Sequence, residues 1–123
     1  MPKETLKRAI PFTIRRVYYM YDTDPAFTRG KHAHKNLEQI LLCIHGSCTI
    51  TLDDGEERKS VRLEQPNIGV YISGATWREM SDFSGDAVLM VLASEFYNED
   101  DYIRDYDTFL AYAKEQKKEK ASS

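Results

Sequence analysis

The chain is poor in the residues that would place it outside a reducing compartment. It has only two cysteines in 123 residues, too few for a disulfide framework. Cys43 and Cys48 flank "IHGS", which reads as a tight turn and would let them face each other across a hairpin. Two reduced thiols on packed strands is the simpler expectation. No apolar run approaches the length of a membrane span, and the opening "MPKETLKRAIPF" lacks the apolar stretch of a secretory signal. A cytoplasmic location without a membrane partner is therefore expected. An excess of positive charge is also missing: 17 Lys and Arg stand against 20 Asp and Glu, for a formal net charge of −3. No basic field draws in nucleic acid, so no nucleic-acid partner is expected. There is no glycine-rich dinucleotide fingerprint, no internal repeat and no low-complexity block. Only three histidines occur.

What is present fits one domain. A length of 123 residues suits a single core of modest size, which a second subunit would reinforce. Eight of the aromatic residues are tyrosines, side chains that combine a flat apolar face with a hydroxyl and suit pockets and interfaces. "IRRVYYMY" (14–21) reads as a strand and "DTDPAFTRG" (22–30) as a loop. "EQILLCIHGSCTITLDDGEERKSVRL" reads as two or three strands, with turns at His45-Gly46 and at Asp54-Gly55, the latter a strong hairpin signal. In "CTITL", Cys48, Ile50 and Leu52 share one face. "NIGVYIS" and "AVLMVLAS" are further strands, separated by "GATWREMSDFSGD". Strands of five to eight residues joined by short turns predict a sandwich or barrel. From about Asp100, Ile103, Tyr106, Phe109, Leu110 and Ala113 recur at helical spacing, with Asn98 or Asp100 as a cap. The expected architecture is a single domain over 1–123. It has an all-β sandwich of roughly eight strands over about 10–97, a C-terminal helix over about 100–116 and a frayed tail over 117–123.

"RGKHAHKNLEQ" (29–39) carries the chemistry. In an extended chain His32 and His34 point to the same face, and Gly30 lets the backbone turn in ahead of them. Two imidazoles aimed into a sandwich interior is the geometry of the jelly-roll cupin fold, whose usual signature pairs His-x-His with a later carboxylate and a further histidine to hold a metal. Here the carboxylate position, six residues before Gly46, is Gln39. Glu38 is one residue out of register and faces the other way. The second segment, "GATWREMSDF", contains no histidine. Two imidazoles and a neutral amide are a poor set for a divalent ion, so no metal is expected. Histidine titrates near neutrality and so suits proton transfer. Two neighbours are not both charged comfortably, which biases one toward base and the other toward acid or donor.

Together, "RRVYYMYDT", "RGKHAHKNLEQILLCIHGSCTITLDDG", "GVYISGATWREMSDFSGDAVLMVLAS" and "YNEDDYIRDYDTF" resemble the nucleotide-sugar 3,4-ketoisomerases. The best-known members act on dTDP-4-keto-6-deoxyglucose. The resemblance runs from about Ile10 to Phe109. It implies a cupin-type jelly-roll without metal or other cofactor, a homodimer with exchanged N-terminal strands, and an isomerase that shifts a ketone from C4 to C3 through an enediol. The product would feed deoxyamino-sugar synthesis for surface polysaccharide. Family members carry more chain before the strand matching "IPFTIRRVYY", including an Asp-x-Arg-Gly-x-Leu stretch whose arginine would lie near the substrate. Nine residues precede Ile10 here.

Carried over by motif position, His32 and His34 are the expected catalytic pair. His32 is taken as the base at carbon and His34 as its partner at the sugar oxygens, with the reverse order open. Tyr19 is the expected hydroxyl donor. Arg29 is expected at the diphosphate or sugar, since a guanidinium fits phosphate with two parallel hydrogen bonds; a solvated loop arginine is the alternative. Gln39 would hold an imidazole tautomer or a sugar hydroxyl. Tyr71 and Trp77 would wall the base or hexose, core packing being the alternative for Trp77. Arg78 would bear on which face of C4 receives the proton. Arg104 and Tyr106 read as helix packing. Two competing functions are a non-catalytic nucleotide-sugar-binding module and a metal-dependent cupin enzyme.

Overall fold

The computed structural model describes residues 10–24 and 26–122. The expectations made for the N-terminal nine residues lie outside this range. Nine strands occur among the described residues: β1 (Arg16–Met20), β2 (Arg29–His34), β3 (Gln39–His45), β4 (Cys48–Asp53), β5 (Arg58–Leu63), β6 (Gly69–Ile72), β7 (Trp77–Ser81), β8 (Val88–Ala93) and β9 (Tyr102–Ile103). One helix, α1 (Tyr106–Ser122), follows. The strands form two antiparallel sheets, in the orders β1-β8-β3-β6 and β5-β4-β7-β2-β9. This is the expected jelly-roll sandwich.

Alternation builds the layers. Leu41 and Cys43 of β3, Cys48 and Ile50 of β4, Met80 of β7, and Leu89 and Val91 of β8 meet between the sheets as one buried cluster. On the outer side of the second sheet, Ala33, Trp77 and Ile103 pack against Phe109 and Ala113 of α1. The central strands of that sheet are thus buried on both faces. Tyr106 of α1 donates to Asp53 Oδ2 at 2.6 Å, and Asp53 also accepts from Arg58 Nη2 at 3.0 Å. This ties the helix to the β4–β5 hairpin, whose Asp54-Gly55 turn is as expected, with Gly55 at φ +96°.

Three local expectations are corrected. "WREMS" is not part of a connection but strand β7, paired with both β4 and β2. Its alternation is disguised because the inward series runs Arg78, Met80, and an arginine does not read as core. The turn at Gly46 does not close a hairpin: β3 and β4 lie in different sheets, and the turn carries the chain from one layer to the other. Gly46 sits at φ +71°, and a Cβ there would fall 2.3 Å from Ser84 Oγ and 2.9 Å from Ala87 Cα. Both cysteines are free and buried. Finally, the helix starts at Tyr106, not near 100, and continues to Ser122. Asp105 caps it by accepting from the Thr108 amide at 2.9 Å. Ile103 shares the helical spacing but lies in β9, beside Ala33 of β2. Asn98 caps only the short 3₁₀ turn Glu99–Asp101.

Candidate functional site

Strand β2 delivers both imidazoles to the inner face of the second sheet at its open end. His34 is fully buried and His32 is 8% exposed. Their rings are edge to face, with centroids 4.8 Å apart, and Tyr102 of β9 packs on both, 5.1 Å from His32 and 4.3 Å from His34.

Each imidazole has its tautomer set by an acceptor on Nδ1. For His32 this is the Gly30 carbonyl, 2.6 Å away; a carbonyl only accepts, so Nδ1 carries the proton and Nε2 is left as the basic nitrogen. For His34 it is Asp101 Oδ2, 3.2 Å away, so its Nε2 is again the unprotonated nitrogen. That atom is buried and has no hydrogen-bond partner among the described residues. Burial lowers the pKa of His32 to about 4, with Arg78 and Arg104 adding to the effect against the Gly30 hydrogen bond. Burial, then Arg78 and His32, lower that of His34 to about 2. Both rings are therefore neutral at physiological pH, and the His34–Asp101 contact is a hydrogen bond from a neutral imidazole rather than an ion pair.

The cation that suppresses them is part of the site. Arg78 of β7 lies beside His32 in the strand register and is fully buried. Its Nη1 donates to Gln39 Oε1 at 2.5 Å and its Nη2 to the Thr76 carbonyl at 2.9 Å. Burial lowers its pKa to about 10, which leaves it charged at neutral pH. Among the described residues no carboxylate pairs directly with it, so the charge is held by neutral dipoles and is free to answer a negative charge developing nearby. Gln39 passes the chain on: its Nε2 donates to the Tyr18 hydroxyl at 3.2 Å. With its oxygen accepting from Gln39, Tyr18 keeps its own O–H for a ligand, and burial raises its pKa, so it stays a donor.

Two adjoining cavities open here. One, of about 410 Å³, is lined by Arg16, Tyr18, Arg29, His32, Tyr102 and Arg104. The other, of about 490 Å³, includes His34, Asn36, Phe96, Asn98 and Asp101. Arg16, Tyr97 and Tyr102 border both. The Arg104 guanidinium lies 4.2 Å over the Tyr102 ring and binds Glu99 through Nε and Nη2 at 2.7 and 2.8 Å.

Among the residues expected at the site, His32, His34, Gln39 and Arg78 are brought together, and Arg29 reaches the same cavity. Three are not. Tyr19 is 54% exposed on the outer face of β1, because alternation along the strand turns its neighbour Tyr18 inward instead. Tyr71 is exposed on β6 and donates to Glu38. Trp77 points to α1, where it packs edge-on to Tyr106 and tilted against Phe109; adjacent to Arg78 in a strand, it faces the opposite side. Conversely, Arg104 is not helix packing but borders the cavity, while Tyr106 is indeed helix packing. Asp101, Tyr102 and Arg16 border the site without a signal in the sequence. "DDYIRDY" carries a mixed pattern in which Asp101 and Tyr102 gain their role only through the pairing of β9 with β2.

Among the described residues, no group of three or more His, Cys, Asp or Glu side chains is placed to share a metal ion. At the position where a cupin metal site would present a carboxylate, the Gln39 oxygen already accepts from a guanidinium. A divalent ion there would face Arg78 at close range, so the donor set does not fit one.

A jelly-roll with paired neutral imidazoles and a buried cation at its open end defines a cupin-type acid–base site. Residues 3–114 match the family model described as FdtA: WxcM-like, C-terminal, and the chain belongs to that family. It is 54% identical over 103 residues to the TDP-4-oxo-6-deoxy-alpha-D-glucose-3,4-oxoisomerase of Aneurinibacillus thermoaerophilus, covering 84% of this chain and 74% of that one. A 3,4-ketoisomerase from Helicobacter canadensis is 58% identical, with a TM-score of 0.83 over 85% of this chain and 79% of its own. QdtA of Thermoanaerobacterium thermosaccharolyticum, solved as a histidine-to-asparagine variant in complex with TDP-4-keto-6-deoxyglucose, is 49% identical, with a TM-score of 0.86 over 89% of this chain and 79% of its own.

Proposed function

We propose that this protein is an isomerase that moves the ketone of a dTDP-linked 4-keto-6-deoxyhexose from C4 to C3 by proton transfer. The observation that carries the reading is the pair of neutral imidazoles, each with Nδ1 engaged and Nε2 bare, beside the buried Arg78 guanidinium.

The steps follow from the groups present. His32 Nε2 removes the proton on C3, and the electron pair of that bond becomes the C3=C4 double bond as charge moves to O4. Arg78 and the Tyr18 hydroxyl support that oxygen, and the His32 imidazolium returns its proton to O4 to give the enediol. A preorganised donor of this kind contributes about 2.7–4 kcal/mol to the transition state. His34 Nε2 accepts the proton of the C3 hydroxyl, the electrons return toward C4, and C4 takes that proton back from the His34 imidazolium, which completes the 3-ketone and leaves both imidazoles neutral. Hydride and electrons never leave the sugar. Arg29, Arg16 and Arg104 supply positive charge at the rim for the diphosphate.

The product suits amination and acylation for surface polysaccharide, and the enzyme would work in the cytoplasm; no described helix is long and apolar enough to cross a membrane. A homodimer is supported by the outer face of the first sheet. Val17, Leu92, Ile40 and Tyr71 form one continuous apolar row across it, and Tyr19, Met90 and Leu42 the next. Ile40 and Leu92 are covered, while Val17, Tyr19 and Tyr71 stand exposed around them, and such an apolar patch is costly in water. Sedimentation should give a dimer, and Val17→Glu with Tyr19→Glu should give a monomer.

The test of activity is incubation with dTDP-4-keto-6-deoxyglucose, followed by NMR. Migration of the ketone supports the reading, and tight binding without migration would favour a non-catalytic binding module. His32→Asn and His34→Asn should each lower turnover by at least about a hundredfold.

A further inference from the structure

Strand β2 is irregular at the point that matters most. Its pairing with β7 runs Arg29↔Met80 and then His32↔Arg78. Three steps on β2 answer two on β7, so β2 carries one extra residue. The extra residue is accommodated by two successive left-handed conformations, Gly30 at φ 87° and Lys31 at φ 41°. Glycine adopts such a φ freely. Lysine does not, and only surrounding structure holds it there.

Two consequences follow from this bulge. Residues three apart in a regular strand face opposite sides, yet Arg29 and His32 line the same cavity. The inserted residue restores their common side. The same turn brings the Gly30 carbonyl 2.6 Å from His32 Nδ1; in an unbroken ladder that carbonyl would lie along the hydrogen-bonding direction of the sheet, away from a side chain two residues on. A Cβ on residue 30 would sit 3.2 Å from Met80 Cε and 3.3 Å from the Arg78 carbonyl, so β7 packs closely on the bulge.

We infer that Gly30 and Lys31 are positioning residues: their left-handed bulge selects the Nδ1-protonated tautomer of His32 and turns Arg29 into the same cavity. What counts at position 31 is the sign of φ, not the lysine charge. The inference rests on His32 as the base of the proposed reaction only for its kinetic consequence; the tautomer itself is read without substrate.

The experiment compares Lys31→Gly, Lys31→Ile and Lys31→Pro in the full chain. Glycine keeps φ positive and removes the charge. Isoleucine resists positive φ, and proline, fixed near −65°, forbids it. Long-range ¹H–¹⁵N correlation of the three imidazoles at pH 7 reads the tautomer. The His32 signals should be those of the Nδ1–H form in wild type and Lys31→Gly, and should move to a mixture or to the Nε2–H form in Lys31→Pro. With dTDP-4-keto-6-deoxyglucose, Lys31→Gly should keep kcat within about twofold of wild type, while Lys31→Pro loses about a hundredfold or more, the scale of a misplaced acid–base group. Should Lys31→Pro fail to fold, Lys31→Ile replaces it, with a loss of about tenfold and a partial tautomer change. The inference is overturned if Lys31→Gly is as damaged as the isoleucine variant, or if the Nδ1–H tautomer persists in Lys31→Pro or in its replacement. An unchanged tautomer pattern alongside absent wild-type turnover would sink both readings separately.

Discussion

Asp101 reaches His34 across 67 residues of sequence, its Oδ2 3.2 Å from the imidazole Nδ1. The same carboxylate accepts from the backbone amides of Asn36 at 2.8 Å and Leu37 at 3.2 Å, and the Asp101 carbonyl accepts from Lys35 N at 3.0 Å. One side chain therefore fixes both a tautomer and the turn that follows β2. Asp101→Asn presents an amide to the ring, and its NH₂ favours the wrong nitrogen. Turnover should fall by about ten- to a hundredfold through the lost tautomer. Thermal stability should also fall, by about 1–3 kcal/mol for the disrupted amide contacts. Kinetics and thermal melts on the same variant read the two effects.

Tyr18 and Tyr19 are neighbours with opposite fates. Tyr18→Phe removes the hydroxyl that accepts from Gln39 and faces the cavity, and should lower kcat by about ten- to a thousandfold. Tyr19→Phe removes a hydroxyl on the outer face and should leave kcat within about twofold, the ordinary result for a surface change. Equal losses in the two variants would place the sugar on the wrong side of β1.

The imidazoles also set a pH dependence. In the unfolded chain both histidines titrate near 6.5; folded, His32 is lowered to about 4 and His34 to about 2. Below 6.5 the unfolded state binds more protons than the native state, so stability is complete above pH 6.5 and declines as pH falls toward 4 and beyond. Catalysis should keep a base down to the same region. The acid limb of kcat/KM should lie near pH 4 to 5, and a limb near 6.5 would mean that His32 is solvated rather than buried. Denaturant midpoints at pH 7 and 5 and a rate profile measure both, and His32→Asn should flatten part of the stability change.

Arg78 should separate stability from activity. A buried guanidinium held by an amide and a carbonyl is an expensive group, but its removal leaves the Gln39 and Thr76 oxygens without their donor, so the two effects oppose each other. Arg78→Met is expected to lower stability by no more than about 1–3 kcal/mol while lowering kcat by about a hundred- to a thousandfold. Arg78→Lys, without the forked donors, should recover only part of the rate. A melting temperature that collapses in Arg78→Met would mark the residue as structural.

Much of this architecture was legible because alternation is a local signal. β1, β3, β4, β6 and β8 are apolar enough to show it, and His32 and His34 share a face by that rule alone. The failures have common physical causes. β7 was hidden because a functional arginine occupies an inward position. Sequence does not tell Tyr18 from Tyr19, because the parity of β1 depends on which sheet covers it, and that is a long-range fact. Asp101 and Tyr102 give no local signal, because a two-residue strand has no periodicity and gains its meaning only beside β2. The helix reads as starting early because Ile103 is in phase with α1 while belonging to β9.

The crossover at Gly46 leaves Cys43 and Cys48 sealed between the layers, both 0% exposed. Burial, reinforced by Cys43, pushes the Cys48 thiol up to about 12. Alkylating reagents need the thiolate and an open path, so native protein should resist them almost completely. Labelling would then proceed only through molecules that have opened, and the mass gained per hour becomes a built-in clock for how often the sandwich comes apart.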